Sequence, residues 1–368
     1  MKKKIVFLLN NYDFISNRAK KKLSLKQAYS YINKNEKVWP GFIAEKLNKN
    51  FNIKIEYPNT LKKYYARNNY ILELQKKIDN FKPEIIISFI NDPRVNTLLK
   101  ERKKKSKNVV WASFSLNQKK IKELREAYDY FISDNDYLIN FAKKEGLISF
   151  KLLTSTPNFT KLNKNNFYRR KNEIYFSGSL GGQFSYRRQI LEYLSKNVNI
   201  FSRVRNLSEK NIFLNYITSK LNFFFPSLTN FLFFKKILPL TSHLKYKNQK
   251  MLFGEDMLTD MRKYKFCVNI HSDFDLNKST NMRTYEVLSN GCLLFTDKNL
   301  DTIKHFTDKK HLIFFNSKND LLRKINFYKT KTSTSFKIAS AGNKLFIKKF
   351  HSQRRIGEFN KIIRKILK

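Results

Sequence analysis

Short apolar runs rich in Val, Ile and Phe alternate along the chain with longer segments whose apolar positions recur every three or four residues. In the first part, runs at 5–9, 52–57, 84–90, 109–114, 130–133 and 149–153 read as strands, being brief, β-branched or aromatic, and bounded by polar residues. The segments between them, near 38–48, 64–80, 95–104, 119–127 and 137–145, read as amphipathic helices. Strands separated by helices of this length form βαβ units, so residues 1–156 are expected to make a doubly wound, parallel α/β domain.

A polar stretch at 157–172, PNFTKLNKNNFYRRKN, lacks a regular period and reads as a linker. The alternation then restarts. A strand at 173–176 runs into Ser177-Gly178-Ser179-Leu180-Gly181-Gly182, and a helix at 186–195 and a strand at 198–201 follow. After a Phe-rich insertion at 211–250, helices are expected at 257–263, 282–290, 302–306 and 318–327, and strands at 266–270, 292–296 and 312–315. Residues 173–335 thus predict a second α/β domain, with 336–368 as closing helices. Sheets of this kind bind ligands beyond the carboxyl ends of their strands, and two facing domains would leave a cleft there.

The most specified stretch is 264–297, YKFCVNIHSDFDLNKSTNMRTYEVLSNGCLLFTD. A strand ends near Ile270, a polar loop follows, and a helix begins at Asn281, with Gly291 as its left-handed stop before another buried strand. A helix start offers unpaired N–H groups and a positive dipole end to a phosphate. Arg283 in the first turn adds a planar cationic fork suited to a diphosphate. Glu286, three residues on and on the same face, has the chemistry to accept from two ribose hydroxyls; the plainer alternative is a surface ion pair between the two side chains.

The run N-M-R-T-Y-E-V-L-S-N-G-C-L-L-F-T-D resembles the signature of the CgeB-like (spore-maturation type) glycosyltransferases. The I-Y-F-S-G-S-L start followed by Arg187 and Arg188, and the A-G-N-K-L-F-I-K-K-F-H-S run near the end, are also similar. The resemblance spans roughly the C-terminal half. It implies a GT-B fold: two Rossmann-like domains facing across a cleft, donor in the C-terminal one, acceptor in the N-terminal one, and a C-terminal helix crossing back. It implies a nucleotide-diphosphate sugar as donor, a glycan, lipid-linked or protein acceptor, and a role in cell-envelope or surface polysaccharide synthesis. The implied donor residues are Gly178, Ser179, Arg188, Asn281, Met282, Arg283 and Glu286. Related retaining families pair two glutamates eight positions apart; here the earlier position is Lys278, which leaves the stereochemical outcome open.

Charge and chemistry refine this picture. Lys+Arg 74 against Asp+Glu 29 gives a net charge of +45, which favours anionic partners, although the excess is spread along the chain. An inverting transfer needs a base for the acceptor hydroxyl. Asp13 and Asp92, each just after a strand of the first domain, are candidates, and His271, ending a strand of the second, is a candidate contact to the reacting sugar. The D-x-D pairs Asp134/Asp136 and Asp273/Asp275 are short patterns, and the histidines show no ligand spacing, so neither a metal nor another cofactor is expected. Cys267 and Cys292 lie in apolar runs, as reduced core thiols do. The N-terminal run is too short for a signal peptide, and 221–234 is too short to span a bilayer, so a cytoplasmic location is expected, with peripheral contact at the inner face of the membrane open through that Phe-rich, Lys-flanked segment. The competing class is a non-catalytic basic protein that binds nucleic acid or a membrane surface; no nucleic-acid module is evident, and nucleic acid is not an expected partner. Arg283→Ala is expected to abolish the stabilisation by a nucleoside diphosphate while leaving the unliganded melting point nearly unchanged.

Overall fold

The computed structural model describes residues 2–9, 24–35, 41–65, 69–89, 92–112, 118–156, 159–179, 185–205, 248–249, 252, 254–271 and 280–368. The chain divides into two compact units: Met1–Pro157 with Lys349–Lys368, and Asn158–Lys348.

The first unit is built on β1 (Lys4–Leu8), β2 (Asn52–Glu56), β3 (Ile85–Ser88), β4 (Lys107–Ala112), β5 (Tyr130–Ser133) and β6 (Ile148–Lys151). All pair in parallel, in the order β2-β1-β3-β4-β5-β6. Between them run α1 (Leu25–Asn35), α2 (Gly41–Leu47), α3 (Pro58–Tyr64), α4 (Asn69–Phe81), α5 (Pro93–Arg102), α6 (Gln118–Leu124) and α7 (Asp136–Lys144). Helices on both faces explain why central strands such as β3, IIIS, are buried along their whole length and read as unbroken apolar runs. On α4 the buried residues Tyr70, Leu74 and Ile78 recur every fourth position and pack into a core with Val6, Ile86 and Phe131.

The second unit contains α8 (Lys164–Arg169), β7 (Lys171–Ser179), α9 (Ser185–Asn197), β8 (Ile200–Arg205), β9 (Asn248–Gln249), α10 (Gly254–Met261), β10 (Tyr264–Asn269), α11 (Met282–Ser289), β11 (Leu293–Asp297), α12 (Leu300–His305), β12 (Ile313–Phe315), α13 (Lys318–Thr330) and α14 (Thr332–Lys349). Its parallel sheet has the order β12-β11-β10-β7-β8-β9. The chain leaves β7 toward one edge and returns at β10 toward the other, so the strand order reverses between these two neighbours.

The final helix, α15 (Ser352–Leu367), belongs to the first unit. Its Phe359 stacks on Trp111 at 4.8 Å between ring centres and meets Phe7 at 6.2 Å. The residues following Ala112 up to Asn117, the insertion from 206 to 247 and the loop 272–279 lie outside the described residues. So do the Phe-rich segment 221–234 and most of the proposed insertion. Among the described residues no helix is long and apolar enough to cross a membrane.

Several local expectations change. The helix read over 64–80 is α4, which starts only at Asn69; a separate helix unassigned by pattern, α3, starts with Pro58 in its first turn and ends at Tyr65, whose φ −112° and ψ 146° are extended. The stretch read as a linker contains α8, capped by Asn163, and its Phe167 is fully buried in the second core. Ser177, Gly178 and Ser179 are not loop but the end of β7, paired with Arg203, Val204 and Arg205. Residues 25–35, unassigned by pattern, form α1.

Candidate functional site

The reversal point of the second sheet gathers polar side chains at the carboxyl ends of its central strands. Asn269 ends β10, and its amide pairs reciprocally with Asn281, at 2.9 and 3.0 Å. Asn281 is the N-cap of α11, its side chain accepting from the Thr284 N–H. The same Asn269 amide reaches Thr284 Oγ1 at 3.2 Å. The start of α11 is thereby tied to the strand end, and the cap expected from sequence is in place. The Asn281 oxygen, however, is spent on the cap and on Asn269, so its contribution is to hold the helix tip. Just ahead of it, Thr280 donates its N–H to Asp301 at 3.0 Å.

Arg283 and Glu286 form the ion pair that their spacing allowed, Nη1 to Oε2 at 2.7 Å, but not on the surface. Glu286 is 2 % exposed and the Arg283 side chain 18 %. Arg283 Nη1 also lies against Met257 Sδ of α10, at 2.6 Å. Burial pushes the Glu286 carboxyl above its ordinary range, and the Arg283 charge pulls it back. The expectation that Arg283→Ala would leave stability unchanged is therefore overturned, since removal strands a buried carboxylate. Met282, at the first position of α11, is partly exposed.

Gly178 and Ser179 lie at the end of β7, on the other side of the reversal point, and the Gly181 and Gly182 positions are outside the described residues. Arg187 at the start of α9 is buried and donates to the Ile270 carbonyl from Nε, at 2.8 Å, tying α9 to the end of β10. Arg188, expected to face phosphate, instead pairs with Glu192 one turn on, at 2.9 Å. His271 follows β10 and is fully buried, with Nδ1 2.7 Å from Asp297 Oδ1 at the end of β11. Asp297 and Tyr186, whose hydroxyl is pushed up first by burial and then by the Asp297 charge, were not singled out from sequence. Their signal was a strand-ending Asp and a helix-starting Tyr, informative only once β10, β11 and α9 are known to meet.

In the first unit, Asp92 is a structural cap. Its side chain accepts the Arg94 N–H at 2.9 Å and the Tyr70 hydroxyl at 3.2 Å, in the position that Asp occupies before a Pro-started helix. This replaces its reading as a base. Asp92→Asn, which keeps the cap, is expected to retain activity, while Asp92→Ala lowers stability by about 1 kcal/mol; a turnover assay on Asp92→Asn checks this. Asp134 accepts from Thr154 at 2.6 Å and Asp136 pairs with Lys151 at 2.7 Å across Asn135, the cap of α7. Asp13, Asp273 and Asp275 lie outside the described residues. Among the described residues no three His, Cys, Asp or Glu side chains gather as a metal cluster. Cys267 and Cys292 are free and buried, as expected.

With this geometry in view, a family model described as glycosyl transferase-like matches residues 215–361. HepE of Anabaena, solved with UDP and glucose, superposes with a TM-score of 0.62 at 9% identity over 99% of this chain and 100% of its own. The fold of the chain is that of the GT-B glycosyltransferases. The chain is also similar in fold to sucrose-phosphate synthase of Thermosynechococcus elongatus, TM-score 0.62 at 7% identity, covering 99% of each chain. A glycosyltransferase of Rickettsia africae aligns over 100% of this chain and 99% of its own, with a TM-score of 0.57 and 11% identity. No curated protein sequence matches it.

Proposed function

We propose that the chain is a glycosyltransferase that takes its sugar from a nucleotide-diphosphate donor, held at the reversal point of the second sheet. The observation that carries the reading is the start of α11: a helix tip fixed by Asn269 and Asn281, with the Arg283–Glu286 pair in its first two turns. The diphosphate takes the helix N-terminus and Arg283, and the carboxylate of Glu286, released from Arg283, accepts donor hydroxyls. Uridine is the first base to try, because similar folds were solved with UDP, UDP-glucose or UDP and GlcNAc.

Within this reading the chain is of the CgeB-like type and acts in the cytoplasm on a glycan, lipid-linked or protein acceptor of the cell envelope, without an obligatory metal. Its +45 charge supports contact with anionic membrane surfaces. A thermal-shift screen of nucleoside diphosphates tests the donor assignment, because a ligand that binds only the folded state raises its melting point. UDP at 100 times its Kd should add about 2.7 kcal/mol of stability, with or without EDTA. If no nucleoside diphosphate shifts the transition, the donor reading is wrong.

A further inference from the structure

One buried polar atom at the carboxyl edge of the second sheet is left unused by the diphosphate reading. Asp297 clamps His271 twice: Oδ1 lies 2.7 Å from ring Nδ1, and the His271 backbone N–H reaches Oδ1 at 3.1 Å and Oδ2 at 3.2 Å. Thr296 Oγ1 adds a third contact to Oδ1, at 3.3 Å. A carboxylate only accepts, so Nδ1 carries the hydrogen, and in the neutral form of the ring Nε2 is then the acceptor. Nε2 is buried and, among the described residues, without a hydrogen-bond partner. Buried acceptors are almost always met, and one that a second carboxylate-held atom aims so firmly calls for a donor from outside the protein.

The location narrows what that donor is. His271 stands two residues beyond Asn269, whose side chain grips the cap of α11. Among the described residues, Arg187 lies on the Ile270 carbonyl and Tyr186 feels the Asp297 charge. A phosphate oxygen offers no hydrogen to an acceptor nitrogen at neutral pH, whereas a sugar hydroxyl does.

Resting on the donor reading above, we infer that His271 Nε2 receives a hydrogen bond from a hydroxyl of the sugar attached to the diphosphate. Asp297 is the positioning residue that fixes the ring and its tautomer. The acceptor nitrogen thus reads the glycosyl part of the donor, while the α11 tip reads the diphosphate.

The full chain, labelled with 15N-histidine, is titrated with UDP and then with UDP-glucose while the His271 Nε2 resonance is followed. Free protein should show an unprotonated Nε2; UDP should leave it in place, and UDP-glucose should move it upfield. Asp297→Asn, which offers an N–H to the ring, should reverse the tautomer, keep the UDP affinity within about twofold and weaken UDP-glucose about tenfold. His271→Gln should show the same split between the two ligands. An Nε2 signal indifferent to bound UDP-glucose overturns the assignment, as does equal loss of UDP and UDP-glucose in both variants, the mark of a merely structural pair. Failure of the unsubstituted chain to bind either ligand overturns the donor reading itself, and this assignment with it.

Discussion

Arg283→Ala should weaken UDP binding by roughly 10- to 100-fold, because a charge-assisted hydrogen bond contributes about 1.5–3 kcal/mol and each 1.4 kcal/mol is a factor of ten. The same change acts on stability through Glu286. With the guanidinium gone, nothing offsets the burial that already raises the Glu286 carboxyl. Its folded pKa then stands further above the unfolded value of about 4.3, so the folded chain holds this proton more tightly than the unfolded chain. The sign follows: stability is fully present below that unfolded value and is lost as pH rises through the folded one. At pH 7 the variant should be about 3 kcal/mol less stable than the parent, and near pH 4 the gap should close. Arg283→Ala combined with Glu286→Gln should flatten this pH dependence without restoring UDP binding. Denaturant unfolding at several pH values and calorimetric titration with UDP separate the two effects. Binding of UDP to Arg283→Ala at parental affinity would refute the diphosphate assignment.

What the sequence reveals and conceals follows from the range of each interaction. Strand and helix positions are written locally: IIIS in β3 and the Tyr70, Leu74, Ile78 repeat on α4 are legible because burial on both faces, or on one stripe, imposes a period. The Asn281 cap and the Gly291 stop, at φ +64°, are equally local. Strand order is not. His271 and Asp297 are 26 residues apart and meet only because β10 and β11 are neighbours in register, with Asn269 opposite Thr296. A lone histidine in the sequence is therefore half of a pair in the fold. Polarity also misleads in both directions. Asp92 has the residue type and strand-end position of a catalytic base and serves as a helix cap, while Ser177-Gly178-Ser179 has the composition of a loop and is strand. The spacing of Arg283 and Glu286 gives their contact, but nothing in the local pattern gives their burial, which converts a weak surface pair into one whose removal is costly.

Two glycines inside helices should respond to alanine with opposite signs. Gly342 of α14 packs so closely that an added Cβ would stand 2.2 Å from the His311 carbonyl oxygen and 2.9 Å from Leu288 Cδ2 of α11. A backbone carbonyl cannot swing aside, so α14 or its neighbour must move. That movement strains the bonds of Asn343, whose amide donates to the Leu288 and Ser289 carbonyls at 2.9 and 3.2 Å and whose oxygen accepts the Leu162 N–H at 3.1 Å. These carbonyls are the open end of α11, so α14 braces the helix whose other end is assigned to the diphosphate. Alanine gains about 1 kcal/mol over glycine in a helix, but overpacking a rigid site costs up to about 3 kcal/mol, and loss of the Asn343 bonds about 1 kcal/mol more. Gly342→Ala should therefore lose about 3 kcal/mol net, a fall of roughly 6–12 °C in melting temperature for a unit of this size, and should weaken UDP binding as α11 shifts. Gly357 of α15 has nothing within 4 Å of its added Cβ, so Gly357→Ala keeps the helix-propensity gain and should stabilise by up to about 1 kcal/mol. Melting curves of the two variants side by side check both signs; a stabilised Gly342→Ala would mean that α14 does not pack on His311 and Leu288 as described.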